Sequence, residues 1–328
     1  MVTKSVVIRG LAVLAGSTLA MLAQGKDLVL AEVHPQGHVI VQSEELLGSR
    51  LAELSKNDMR LQLKPNGELC DETKCWDKIK AGSLDIARVN LATLAKDLPA
   101  VKLLSLPYLF RSREHMWHVL AGDFGKRIEA EADRNGAVVL TYYDSGERSF
   151  YTTKGPIRSV ADFNGLRIRI QDSPVYKELI QQLGGIPVVL PYDKVADAFK
   201  SGQIDAAENN TTSYVSSGHY KFAKYYSLDA HSSVPEVLLV SKKAWSSLTP
   251  AEQKALRDAA AESSTYMKKQ WAESEIQSLA KARKEGAVIT EKSQIAMSGI
   301  EGFAVKLYSK FITDSNDLNT VVNILRTK

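Results

Sequence analysis

The 328-residue chain has only two cysteines, Cys70 and Cys75 in LCDETKCW, with no histidine beside them at ligand spacing. A CxxxxC pair alone is a poor zinc site. It lacks a surplus of either charge: 42 basic residues face 38 acidic ones, a net +4. That is too balanced for an electrostatic nucleic-acid footprint, and no Lys/Arg-rich run or RNA-binding aromatic motif occurs. Past the first 23 residues no stretch approaches 18 apolar residues, so no membrane span is expected in the mature chain. GxSxG, HExxH, P-loop and GxGxxG patterns are absent, and no carboxylate pair stands out for acid–base work. His34 and His38 are separated by Pro35 and Gly37, which speaks against a metal-binding helix; His115 and His118 read as an exposed helix face. No metal, no cofactor and no enzymatic activity are expected. The 44% hydrophobic content is enough for a large core, and the length favours two lobes.

The N-terminus differs from the rest. Lys4 and Arg9 precede the apolar run Leu11 to Leu22, and Met21-Leu22-Ala23 offers a cleavage site. Residues 1–23 read as a secretory signal. Removing Lys4 and Arg9 brings the net charge to +2, and the chain is expected to be exported. In an oxidising compartment Cys70 and Cys75 pair; two reduced thiols at a helix start are the alternative.

The most informative stretch is Phe163 to Asn210. Leu166–Ile170 reads as a strand with Arg167 and Arg169 on one face. A helix over Val175–Leu183, the apolar run Ile186–Leu190, a helix over Asp193–Ser201 and a strand at Ile204–Ala207 follow. This βαβαβ order favours a parallel sheet, with ligands beyond the carboxyl ends of its strands. Arg169, Gln171, Glu208, Asn209 and Asn210 fall at such ends. An arginine fork among amides suits a carboxylate bearing hydroxyls.

The N-terminal half repeats the logic. Strands at Asp27–Val33 (the first buried on both faces), Leu61–Leu63 and Leu84–Val89 alternate with helices at Ser43–Leu54 and Asp71–Ala81, leaving Glu32, His34, Arg88 and Asn90 at strand ends. One long helix is expected over Arg113–Arg134, then a strand at Ala137–Tyr143 and a crossing near Gly146 and Arg148. Pro235–Ser241 is a buried-type strand. Thr249-Pro250-Ala251-Glu252 is a capping box, and no Gly or Pro follows until Gly286. That helix would be roughly 50 Å long, enough to brace two lobes.

Several blocks together resemble one family: LAEVHPQGH, KIKAGSLDIARVN, LSLPYLFR, GERSFYTTKGPI, DFNGLRIRIQDSP, SGQIDAAENN and VPEVLLVSKKAWSSLTPAEQKAL, spanning roughly residues 27 to 285 in order. The chain is similar to the extracytoplasmic solute receptors of tripartite ATP-independent periplasmic (TRAP) transporters, the DctP-like family. The resemblance implies an α/β, two-lobed periplasmic binding protein fold, with mixed sheets flanked by helices and a long helix bridging both lobes. Lobe I would comprise 24–147 plus 235–275, and lobe II 148–234 plus 276–328. Arg169 would pair with the substrate carboxylate, Arg148 would assist, and Asn209 would line the cleft.

Gln171-Asp172-Ser173 and Thr211-Thr212 depart from the commonest family pattern. With Arg88, Asn90, Glu32, His34, Asn210, His231 and Glu236 they suggest a polar pocket, resembling members that take glucuronate or galacturonate. A C4-dicarboxylate or other organic acid is the alternative, and a secreted sugar-modifying hydrolase a more distant one. Plain structural roles also exist: Glu236 as a strand start, His231 as a loop residue, Glu32 and His34 as a strand-end cap, Tyr214 as core. The implied partners are a small organic acid and the TRAP membrane permease subunits, with no nucleic acid, for a monomer in the periplasm.

Overall fold

Alternation of apolar runs with helices produces two sheets. The computed structural model describes residues 25–328; the expected signal segment lies outside them. The strands are β1 (Lys26–Ala31), β2 (Met59–Lys64), β3 (Ile86–Asn90), β4 (Ala137–Tyr143), β5 (Arg148–Thr152), β6 (Arg167–Ile170), β7 (Ile186–Val189), β8 (Ala206–Asn209), β9 (Tyr225–Ser232), β10 (Glu236–Ser241) and β11 (Val288–Thr290). One sheet has the order β2-β1-β3-β10-β4, the other β11-β9-β5-β8-β6-β7. In each, a βαβαβ unit supplies three parallel strands: β2, β1, β3 in the first and β7, β6, β8 in the second. Antiparallel strands make both sheets mixed: β10 in the first, β5 against β8 and β9 in the second.

The chain passes between the sheets at residues 144–147, after β4, and at 233–235, before β10. A third link is the helix Pro250–Lys284, opened by the Thr249/Glu252 capping box. Its first turns bury Leu256 and Ala259 with Leu28, Leu47 and Leu238 of the first sheet's core. Its middle packs Met267 and Trp271 on Val39, Ile40 and Tyr143. Its end places Ala282 among Tyr151, Tyr214 and Tyr226 of the second sheet's core. One rigid rod is thus buried at both ends in different cores. Tyr214 is core, and its hydroxyl donates to Ala223 O at 2.7 Å.

Four local expectations are corrected. The single helix over 113–134 is two, Arg113–Ala121 and Asp123–Arg134, with Gly122 extended between them. Close packing at the junction demands glycine, because a Cβ on Gly125 would lie 1.8 Å from Leu120 O. The helix expected from Ser43 begins at Val39, because His38 caps it, Nδ1 accepting from Ile40 N at 3.2 Å. The helix expected over 193–201 is only Val195–Lys200, entered through a 3-10 turn at Tyr192–Lys194. His118 is exposed, but His115 is buried, its Nε2 lying 2.8 Å from Ile324 O. That contact belongs to the terminal helix Ser315–Arg326, which returns to the first half of the chain, where Asp317 pairs with Lys102 at 2.8 Å. Cys70 and Cys75 are joined, with Cα atoms 5.3 Å apart.

Candidate functional site

Strand ends of both sheets meet at a narrow cleft whose inner cavity is only about 10 Å³. β3 contributes Arg88, β10 Glu236, β5 Arg148, β6 Arg169 with Gln171 just beyond it, and β8 Asn209 with Asn210 just beyond; His34 lies past β1. Glu72, at the first position of the helix Glu72–Lys80, and Tyr192, past β7, complete the wall. The cavity adjoins a larger, more open pocket that shares Glu72, Arg169, Gln171 and Tyr192. Glu32, Asn90 and His231 do not reach the cavity wall: Glu32 holds Arg88, Asn90 donates to Glu236, and His231 lies beside Glu208, the partner of Arg148.

The three buried arginines differ in what they already hold. Arg88, 1% exposed, is saturated by acids. Its Nε reaches Glu32 at 2.7 Å, one terminal nitrogen reaches Glu72 at 2.7 Å and Glu236 at 2.8 Å, and the other reaches Glu32 at 2.5 Å. Burial alone would lower its pKa, but Glu32, Glu236 and Glu72 hold it well above the ordinary arginine value. Arg148 grips the Glu208 carboxylate through Nε and one terminal nitrogen, and donates to Asn209 Oδ1 at 2.9 Å. In return, and against the effect of burial, it holds the Glu208 pKa down to about 2.

Arg169 is as buried as Arg148, at 2% exposed, yet only its Nε is engaged, donating to Leu190 O at 2.9 Å. Among the described residues neither terminal nitrogen has a hydrogen-bond partner, and both pockets are lined by this side chain. Burial lowers its pKa below the usual arginine value, with Glu208 compensating in part. A buried guanidinium fork with no direct ion-pair partner is costly unless something arrives to pair with it. Arg167, on the same strand, is half exposed and forms a two-pronged pair with Asp205 at 2.8 and 2.9 Å, outside the cavity.

Supporting contacts fix the rest. Asn210 caps the helix Thr211–Ser216, its Oδ1 accepting from Ser213 N at 2.7 Å. Asn209 Oδ1 accepts from Arg148, so the amide nitrogens of both asparagines remain as donors. Asn90 is spent: Oδ1 accepts from Ala92 N, and Nδ2 donates to Val234 O and Glu236. His34 Nδ1 lies 2.7 Å from Glu32, and its ring stacks on His38 at 4.0 Å. His231 stacks on Phe150 at 4.2 Å and pairs through Nδ1 with Asp229 at 2.9 Å. Burial would depress its pKa, but Asp229 and Glu208 raise it to about 9. Polar contacts join the halves around the cavity: Gln171 Nε2 donates to Glu72 Oε2 at 3.2 Å, Ser213 Oγ lies 3.4 Å from Nε2 of both His34 and His38, and Lys96 pairs with Asp172 at 2.6 Å.

The sequence reading passed over Glu72 and Tyr192. Glu72 reads as a helix-start acid next to its cap Asp71, and only the fold turns it toward Arg88. Tyr192 had one usable signal, a polar aromatic directly past the carboxyl end of a parallel strand. No group of three or more His, Cys, Asp or Glu among the described residues is placed to hold a metal ion.

Known proteins place the chain. The family described as bacterial extracellular solute-binding protein, family 7, matches residues 30–314. A solute-binding protein of Chromohalobacter salexigens is 30% identical over 313 residues, covering 95% of this chain and 92% of the relative. Among solved structures, a TRAP periplasmic solute-binding protein of Bradyrhizobium, in complex with α/β-D-galacturonate, superimposes with TM-score 0.88 at 38% identity, covering 92% of this chain and 100% of the other. One from Xanthobacter autotrophicus, with bound β-D-galacturonate, gives TM-score 0.87 at 36% identity over the same shares. One from Roseobacter denitrificans, with bound β-D-glucuronate, gives 0.88 at 30%, again over 92% and 100%. This chain therefore belongs to the bacterial extracellular solute-binding proteins of family 7, the solute receptors of TRAP transporters.

Proposed function

We propose that this receptor captures a hexuronate, D-galacturonate or D-glucuronate, and delivers it unchanged to the TRAP membrane permease. The observation that carries the reading is Arg169: a buried guanidinium whose two terminal nitrogens face the cavity unpaired, while Arg88 and Arg148 are already occupied. A carboxylate there forms two parallel charge-assisted hydrogen bonds and neutralises the buried cation. The remaining N–H of Arg148 assists. Ring hydroxyls then find donors in Asn209, Asn210 and Tyr192 and acceptors in Glu72, Glu236 and Gln171, whose buried Oε1 has no partner of its own. The uronates bound by the Bradyrhizobium, Xanthobacter and Roseobacter relatives support the same ligand class.

Among the described residues lobe I comprises 25–147 plus 235–275 and lobe II 148–234 plus 276–328, except that the terminal helix 315–326 docks on lobe I. Closure bends the chain at 144–147 and 233–235 while the 250–284 helix spans both lobes, and the Gln171–Glu72 contact marks the closed form. The protein works as a monomer in the periplasm after loss of residues 1–23, without a cofactor and without altering its ligand. A thermal-shift screen over uronates, aldonates, dicarboxylates and aromatic acids tests this: a hexuronate raises the melting temperature through mass action, and no shift with any uronate contradicts it.

A further inference from the structure

The cavity is electrically lopsided. On one side stands Arg169, without an acidic partner among the described residues. On the other, the wall residues Glu72 and Glu236, with Glu32 behind them, share one guanidinium, Arg88, so carboxylates outnumber arginines there. Arg148 and Glu208 offset one another. Glu72 and Glu236 both line the cavity, and its described wall holds no lysine and no arginine beyond Arg88, Arg148 and Arg169. A molecule with a carboxylate at each end, seated on Arg169, would press its second charge toward this acidic wall.

We infer that Glu72 and Glu236 restrict the receptor to monocarboxylates with a hydroxyl-bearing far end, and that they exclude diacids of the same length. The inference rests on the proposed carboxylate anchoring at Arg169 and goes beyond it by assigning the opposite wall a rejecting role. Hydroxyls donate to carboxylates, whereas a second carboxylate can only repel them or take up a proton. Like charges at close range in a partly dry site cost several powers of ten in affinity at the extreme, so about a hundredfold discrimination is expected.

Matched acid pairs test it by calorimetry on the full mature protein: D-galacturonate against galactarate, D-gluconate against D-glucarate, and 4-hydroxybutyrate against succinate. The expected result is that each monoacid binds about a hundredfold tighter than its diacid wherever the pair binds, and that Glu72→Gln narrows the gap at least about tenfold. Glu236→Gln, with the same direction expected, is the second variant should the first fold poorly by circular dichroism. A diacid binding within threefold of its monoacid in the wild type overturns the inference, as does an unchanged gap in both folded variants. Discrimination confined to 4-hydroxybutyrate and succinate, with no uronate bound, overturns the uronate reading and leaves the charge exclusion standing. Binding of no member of any pair overturns both.

Discussion

Gln171 and Glu72 sit 99 residues apart in sequence, yet Gln171 Nε2 donates to Glu72 Oε2 at 3.2 Å across the cavity. Glu72 is held by Arg88 on the first sheet, and Gln171 follows the strand that carries Arg169 on the second. The contact ties the acid-rich wall to the end of the strand that carries Arg169. A hydrogen bond to a charged group is worth about 1.5–3 kcal/mol, and under the proposed closure this one would break whenever the halves part. Gln171→Ala should weaken uronate binding about tenfold, mainly through faster dissociation, with little change in the melting temperature of the ligand-free protein. Stopped-flow dissociation rates check this; an unchanged off-rate means the contact plays no part in closure.

Glu44 is fully buried on the Val39–Leu54 helix, and neither carboxyl oxygen has a hydrogen-bond partner. Burial first, and then the charge of Glu32, raise its pKa well above 4.5. Below pH 4.5 folded and unfolded chains both hold the proton. Above it the unfolded chain releases the proton and the folded one keeps it, so this residue costs stability as pH rises toward its folded pKa. Glu44→Gln should therefore raise the melting temperature at pH 7 more than at pH 4. Calorimetry at the two pH values decides, and an equal shift at both rejects a neutral Glu44.

His231 shows the reverse sign. Its folded pKa of about 9 exceeds the ordinary 6.5. Its contribution is complete below pH 6.5 and is lost as pH climbs through 9, an amount on the order of 3 kcal/mol for a fully buried group. Wild type and His231→Gln should converge in stability between pH 6.5 and pH 9.5. Urea midpoints measured along that range would show a constant gap if the histidine were neutral throughout.

The Cys70–Cys75 bridge encloses Asp71 and Glu72, the cap and first residue of the helix that delivers Glu72 to Arg88. A loop this short contributes about 2 kcal/mol by restricting the unfolded chain. Replacing both cysteines with serine should lower the melting temperature by several degrees and weaken uronate binding only a few-fold. Complete loss of binding on reduction would mean that the bridge holds the site itself.

Both βαβαβ units were legible because apolar runs and polar strand ends alternate there without ambiguity. So was the long helix, since a capping box and 35 residues free of internal Gly or Pro leave little else for Pro250–Lys284 to be. What the pattern hides is who pairs with whom. The period of two puts Arg167 and Arg169 on one face, but it cannot show that Asp205 meets Arg167 and that nothing meets Arg169. It marks Arg88 as a polar strand residue without revealing that three carboxylates surround it. The break at Gly122 depends on two helices approaching at Gly125, a contact that no local periodicity encodes.

Arg169 carries the central claim, and calorimetric titration of D-galacturonate into wild type and Arg169→Met tests it most directly. Removing an unpaired buried cation should leave the ligand-free melting temperature equal or higher. It should also weaken binding at least about a hundredfold, a loss near 3 kcal/mol. Retained affinity in a folded Arg169→Met protein would contradict the account, because the carboxylate would then be held elsewhere.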